Sequence, residues 1–261
     1  MIISGLEKCS FVDYPGKLAA VVFLKGCNMN CTYCHNQELL FNKPDLPEIE
    51  EEGILNFLAK RKNLLDAVVV TGGEPTLNQE LPRFIRKVRN LGYLVKLDTN
   101  GTNPGMVDQL LRDGLLDFAA MDVKTELSQY NKLCRALVDT GAIVKTIKIL
   151  MESDIDYEFR TTVYPGLTED NLFRLAELLG GAKKWVLQHY SPEGNSLLDL
   201  LGPDESPEKP DLQKLASVFN RYTGECSVRG KEIPLKLKNW RAAPAGDATD
   251  SSALDVPQLL S

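Results

Sequence analysis

The sequence predicts an α/β fold built on a parallel sheet. Two observations carry this expectation. Short apolar, β-branched runs alternate six times with segments of helical period, and the short connections suit parallel strands joined by right-handed crossovers. In addition, the polar residues that look out of place in a core fall at the downstream ends of the predicted strands, where parallel barrels bind their ligands. The rhythm alone permits a doubly wound sheet or an incomplete barrel.

Taken in order, residues 18–24 form the first strand. Residues 49–60 follow as a helix, with Ile54, Leu55 and Leu58 on one face. Strands are predicted at 67–71, 93–98 and 117–123, with helices at 79–91 and from about 104 to 112 between them. Residues 127–136 form a helical piece, and the spacing of Ile143, Ile147, Leu150 and Met151 predicts a helix over 143–151. A fifth strand at 157–163, a helix at 169–179 and a sixth strand at 184–189 complete the rhythm. No Gly-x-Gly-x-x-Gly follows any of these strands, which argues against a dinucleotide-binding sheet. Beyond it, 203–210 reads as a linker, Asp211 caps a helix to about 222, and 227–237 adds a short strand or hairpin. The expected organisation is a main domain at 1–200, a linker, helix and small C-terminal extension at 201–241, and a disordered tail at 242–261.

The bulk properties narrow the function. A net charge of −6 gives no electrostatic footprint for nucleic acid. No apolar run is long enough to span a bilayer, and the first residues do not read as a signal peptide, so a cytoplasmic location is expected. Six cysteines in such a chain do not read as a disulfide framework. The basic residues at 60–62 and Arg83, Arg86, Lys87 and Arg89 read as solvated helix faces.

Three of the cysteines stand close together as Cys27-x3-Cys31-x2-Cys34. Three thiolates so spaced hold three corners of a four-iron, four-sulfur cluster, and with no fourth cysteine near in sequence one iron stays open. An open metal position is a feature of catalytic rather than structural sites. Zinc with His35 as fourth ligand, or unrelated buried cysteines, are the alternatives. Cys9, Cys134 and Cys226 are scattered and read as ordinary thiols.

The triplet resembles the signature of the radical S-adenosylmethionine (radical SAM) superfamily. The stretch from Ser10 to Lys17, leading into Phe23-Leu24-Lys25-Gly26-Cys27, is similar to the activating proteins of glycyl-radical enzymes, in particular those of anaerobic ribonucleoside-triphosphate reductase. The resemblance spans residues 1–192. It implies a partial (β/α)6 barrel, open on one side, with a small C-terminal extension. It also implies a [4Fe-4S] cluster held by Cys27, Cys31 and Cys34, with SAM chelating the open iron. Reductive cleavage of SAM would give methionine and a 5′-deoxyadenosyl radical, which takes a hydrogen atom from a glycine of a large partner enzyme. A low-potential donor such as flavodoxin or ferredoxin would supply the electron. The rival expectation is a radical SAM enzyme acting on a small molecule.

Candidate cofactor contacts follow strand by strand. The second strand ends in Thr71-Gly72-Gly73-Glu74-Pro75. Its glycines let a ligand approach the backbone, and Glu74 offers a carboxylate to an ammonium group; alone, such a segment is most often a tight turn. The resemblance assigns Gly73 and Glu74 to the amino group of SAM. Strand alternation puts Lys96 with Asp98, Asp122 with Lys124, and Glu158 with Arg160 on common faces. Charges inside a barrel cost several kcal/mol unless they pair or meet a polar ligand, so Asp98, Asp122, Lys124 and Arg160 are candidate SAM contacts. His189 lies at the rim after the sixth strand. Tyr33 and His35 flank the last cysteine and are candidates for shielding the cluster or contacting adenine.

Overall fold

The computed structural model describes residues 1–40, 46–191 and 210–230. Most of the predicted linker, the extension beyond 230 and the predicted tail lie outside them. The framework is one eight-stranded sheet whose order follows the chain: β1 (Ile3–Ser10), β2 (Ala19–Leu24), β3 (Ala67–Gly72), β4 (Leu94–Thr99), β5 (Phe118–Asp122), β6 (Asp156–Val163), β7 (Lys184–His189) and β8 (Glu225–Arg229). β1 pairs antiparallel with β2, and every later pair is parallel. The six predicted strands are β2 to β7, each within one residue of its expected ends.

The strand order settles which parallel architecture forms. A doubly wound sheet reverses its order at a switch point and carries helices on both faces. Here the order never reverses. The residues that face outward, such as Val22, Val70, Leu97, Met121 and Phe159, share one core with residues of α1 (Glu51–Lys60), α2 (Leu81–Asn90), α3 (Pro104–Arg112), α5 (Thr140–Met151) and α6 (Glu169–Leu178). Helices on one face alone make the sheet a partial barrel, with β1 and β8 as its unjoined edges among the described residues.

Capping explains several helix starts. Asn103 accepts from the Met106 amide ahead of α3, and Thr168 and Asn171 form a reciprocal capping box at α6. Asp139 accepts from the Gly141 and Ala142 amides, so α5 begins at Thr140, three residues before its apolar spacing shows. Asp211 caps α7 (Leu212–Phe219) as expected. The helical piece near 127–136 resolves into a 3₁₀ turn and the short α4 (Tyr130–Cys134).

Two strands correct the sequence reading. β1 was not predicted, because the Glu7-Lys8-Cys9 run is exposed and breaks the apolar alternation; an edge strand tolerates this. β8 starts two residues before the predicted strand and pairs parallel with β7 rather than with a neighbouring hairpin arm. The basic residues of α2 are paired at the surface, as a solvated face requires: Arg83 with Glu80, Arg86 with Asp113, Lys87 with Glu51 and Arg89 with Asp117. Among the described residues, no helix is long and apolar enough to cross a membrane.

Candidate cofactor site at the open mouth of the barrel

The inner face of the sheet changes character along the strands. Toward their N-terminal ends it is apolar, with Ala19, Val21, Ala67, Val69, Phe118 and Ala120 packed over Tyr14. Toward the C-terminal ends it is ionic. Lys96 Nζ donates to Asp98 Oδ1 (2.6 Å), Arg160 Nη1 to Asp98 Oδ2 (3.3 Å), Arg160 Nε to Asp122 Oδ1 (2.9 Å) and Lys124 Nζ to Asp122 Oδ2 (3.3 Å). The charges alternate in a ladder of three cations and two carboxylates running from β4 across β5 and β6. Strand period brings each pair to one face, and parallel register places Asp122 opposite Arg160. The four residues expected to line a SAM pocket therefore come together, with Lys96 as a fifth member. They satisfy one another, which is how buried charges avoid the desolvation cost. Asp122 is the more open carboxylate, its side chain 35% exposed against 12% for Asp98.

Burial opposes ionisation of both aspartates, but Arg160 leads a set of cations that holds each carboxyl below its ordinary value of 3.8. A carboxyl depressed on folding contributes stability above its unfolded pKa and loses it as pH falls through the folded value. The ladder is therefore expected to stay intact through mildly acidic conditions and to fail only below about pH 4. Urea unfolding followed by circular dichroism should show this acid limb, and it should flatten in Asp98→Asn. An unchanged limb in that variant would show that the ladder does not set it.

A second ion pair lies beside the first. Glu158, fully buried on β6, receives both guanidinium nitrogens of Arg229 from β8 at 2.9 and 2.8 Å. Arg229 escaped the sequence reading because its strand did, and its buried partner is two residues from Arg160.

The loop after β3 departs from its expected role in detail. The Glu74 carboxylate does not face open space. It is fully buried, and it accepts from the Thr76 amide (3.1 Å) and hydroxyl, the Thr99 hydroxyl (2.7 Å) and the Asn100 amide (2.6 Å). Burial still pushes its pKa up against these donors. Glu74 thus ties the loop after β3 to the loop after β4. The two glycines are needed for contact with the cysteine loop itself. Gly72 sits at φ +125°, and a Cβ there would fall 2.3 Å from the Leu24 carbonyl oxygen; a Cβ on Gly73 would fall 2.1 Å from that of Gly26. The Gly73 amide donates to Leu24 (2.9 Å) and the Glu74 amide to Gly26 (2.7 Å).

The cysteine loop follows β2 and folds over the mouth. Tyr33 stacks on Tyr164, just past β6, with ring centroids 5.1 Å apart, and His35 stacks on Tyr190, just past β7, at 5.5 Å. The ladder ends against this loop, with Lys124 Nζ 5.7 Å from the centre of the Tyr33 ring. Tyr33 is buried and behaves as a packing residue, while His189 is exposed at the end of β7, on the predicted rim. Neither Tyr164 nor Tyr190 was singled out by sequence; each directly follows a predicted strand, which is the signal that would have found it.

All three thiols of the loop are free. Burial pushes Cys27 up to about 11 and raises Cys34 as well. Cys31 behaves differently: a hydrogen bond with the Cys134 side chain holds it down at about 7, against its burial. Cys134, read from sequence as an ordinary thiol, thus lies beside the triplet in space. Cys27 Sγ takes the Met29 amide at 3.4 Å and Asn100 Nδ2 at 3.9 Å. Such a donor set, with amide groups aimed at sulfur, suits thiolates bound to a cluster. It suits mononuclear zinc less well: the His35 ring is engaged with Tyr190, and among the described residues no three His, Cys, Asp or Glu side chains converge as a single ion requires.

Comparison with known proteins agrees with this geometry. The family model described as the Radical SAM superfamily matches residues 21–179. A protein of Methanocaldococcus jannaschii named for glycyl-radical enzyme activation, MJ1227, is 29% identical over 235 residues, covering 87% of this chain and 95% of the relative. Pyruvate formate-lyase 1-activating enzyme of Escherichia coli K12 is 25% identical over 239 residues, covering 84% and 95%. Among solved structures, Streptococcus suis SuiB bound to S-adenosylmethionine superposes with a TM-score of 0.58 at 16% identity, over 81% of this chain and 52% of that one, a likeness of fold. The family match runs from β2 through α6 and takes in the whole cysteine loop, and by that match the chain belongs to the radical SAM superfamily of enzymes.

Proposed function

We propose that this chain is an activating enzyme that sets a glycyl radical on a partner protein, with anaerobic ribonucleoside-triphosphate reductase as the partner its motifs favour. The observation that carries the reading is the end-to-end likeness to activating enzymes: those relatives are covered over 95% of their length, so the similarity is not confined to a shared barrel. A protein substrate also suits a barrel whose β1 and β8 edges are unjoined among the described residues.

In this reading Cys27, Cys31 and Cys34 hold a [4Fe-4S] cluster with one iron left for SAM. The cluster, when bound, supplies one electron to the SAM sulfonium, whose cleavage gives methionine and the 5′-deoxyadenosyl radical that attacks the partner glycine. The chain's own residues bind and orient. Asp122, the open carboxylate of the ladder, and Lys124 at its end meet the charged groups of SAM. Asp98 and Arg160 hold those two in place. The Gly73–Glu74 segment presents backbone toward the amino group while the Glu74 side chain keeps the loop rigid. His189, on the rim, together with His35 and Tyr33 in the covering loop, borders the nucleoside and keeps water and oxygen from the reacting bond. The electron comes from a low-potential protein such as flavodoxin or ferredoxin.

The test is anaerobic reconstitution with iron and sulfide, followed by reduction in the presence of SAM. Release of 5′-deoxyadenosine is expected, together with a glycyl EPR doublet when purified anaerobic ribonucleotide reductase is added. Release of 5′-deoxyadenosine with no doublet in that enzyme or in pyruvate formate-lyase would sink the activase reading and leave a small-molecule substrate.

A further inference from the structure

Cys134 lies at the end of α4, about a hundred residues after the triplet, yet it is built against the middle cysteine. The Asn30 amide donates to the Cys134 carbonyl at 2.9 Å and the Thr32 amide to the Leu133 carbonyl at 3.1 Å, so backbone bonds clamp both neighbours of Cys31 to the end of α4. Both side chains are withdrawn from solvent, Cys31 at 6% and Cys134 at 0% exposure. Within this clamp the two side chains are hydrogen-bonded. Since burial raises Cys134 far more than Cys31, it is Cys134 that keeps its proton and donates, and Cys31 that accepts.

We propose that Cys134 is a positioning residue for the cluster, its thiol donating a hydrogen bond to the Cys31 sulfur and thereby making the cluster easier to reduce. The inference rests on the reading that Cys31 is a cluster ligand. A donor aimed at a ligating sulfur stabilises the more negative, reduced state and so raises the potential. That matters here because the electron must be delivered at very low potential. Cys134 does not itself ligate: with a fourth thiolate, no iron would remain for SAM.

The experiment is an EPR-monitored reductive titration of anaerobically reconstituted protein, with iron and sulfide counted per chain. Wild type is compared with Cys134→Ala, Cys134→Val and Cys134→Ser. Valine fills the site without a donor, and serine restores one. Expected are full clusters in all four, a midpoint shifted to more negative potential in the alanine and valine forms, and recovery toward wild type in the serine form. Equal midpoints in all four would overturn the proposal. Loss of the cluster in all three variants would also overturn it, by making Cys134 a ligand or a purely structural part of the loop. If only the alanine form fails to assemble, the valine and serine forms decide. A wild-type protein that binds no cluster would instead refute the reading on which the inference rests.

Discussion

Replacing Gly73 by alanine is expected to cost on the order of 3 kcal/mol or more and to leave a protein that assembles little cluster. The added Cβ would lie 2.1 Å from the Gly26 carbonyl oxygen and 2.5 Å from its carbon. Both are backbone atoms, so no side chain can rotate away. Relief requires the cysteine loop to part from the loop after β3, which stretches the Glu74 amide bond to Gly26 and moves Cys27 off its place. Gly53 is the matched control. It lies in α1, where a Cβ meets nothing within 4 Å, so alanine there is expected to stabilise by up to about 1 kcal/mol. Thermal unfolding and iron content measure both. Wild-type values for Gly73→Ala would show that this loop contact is not what shapes the site.

Replacing Arg160 by methionine should be the most damaging change within the ladder. The stem is kept and the charge removed, leaving Asp98 and Asp122 two carboxylates across a gap, each with one lysine. Breaking a buried pair by removing one partner typically costs about 3–5 kcal/mol; the remaining lysines place this case near the lower end. The acid limb should also move to higher pH, since Arg160 is the leading cation that depresses both carboxyls. By contrast Arg112→Met, which breaks an exposed pair with Asp108, should cost less than about 0.5 kcal/mol. Denaturant titration of the three proteins side by side decides the matter. Equal midpoints for the two variants would mean that the ladder contributes no more than a surface pair.

Both predictions concern places where sequence reasoning reached the right residues with an incomplete account of them. The pair Gly72-Gly73 was read as room for a ligand, because a glycine shows only that something approaches the backbone. What approaches is Leu24 and Gly26 of the chain itself, some fifty residues earlier. Glu74 was legible as a functional acid, but its four donors come from its own loop and the end of β4. The alternation of Lys96, Asp98, Asp122, Lys124 and Arg160 placed them on inner faces. It held no information on which cation meets which carboxylate. β1 and Arg229 were missed for a shared reason: an edge strand needs neither strict alternation nor a continuous apolar face.

What the amino-acid sequence determined by itself was the local chemistry and period: three thiols on one short loop, six buried strands, and polar residues at their downstream ends. These depend on neighbours within a few residues, so a linear reading reaches them. Only the tertiary structure decided that the strands run in unreversed order, that the interior charges neutralise one another, that Tyr164 and Tyr190 hold the cysteine loop across the mouth, and that Cys134 stands beside Cys31. Each is a contact between residues far apart in the chain, and such contacts arise from packing and charge pairing that only the folded barrel brings within reach.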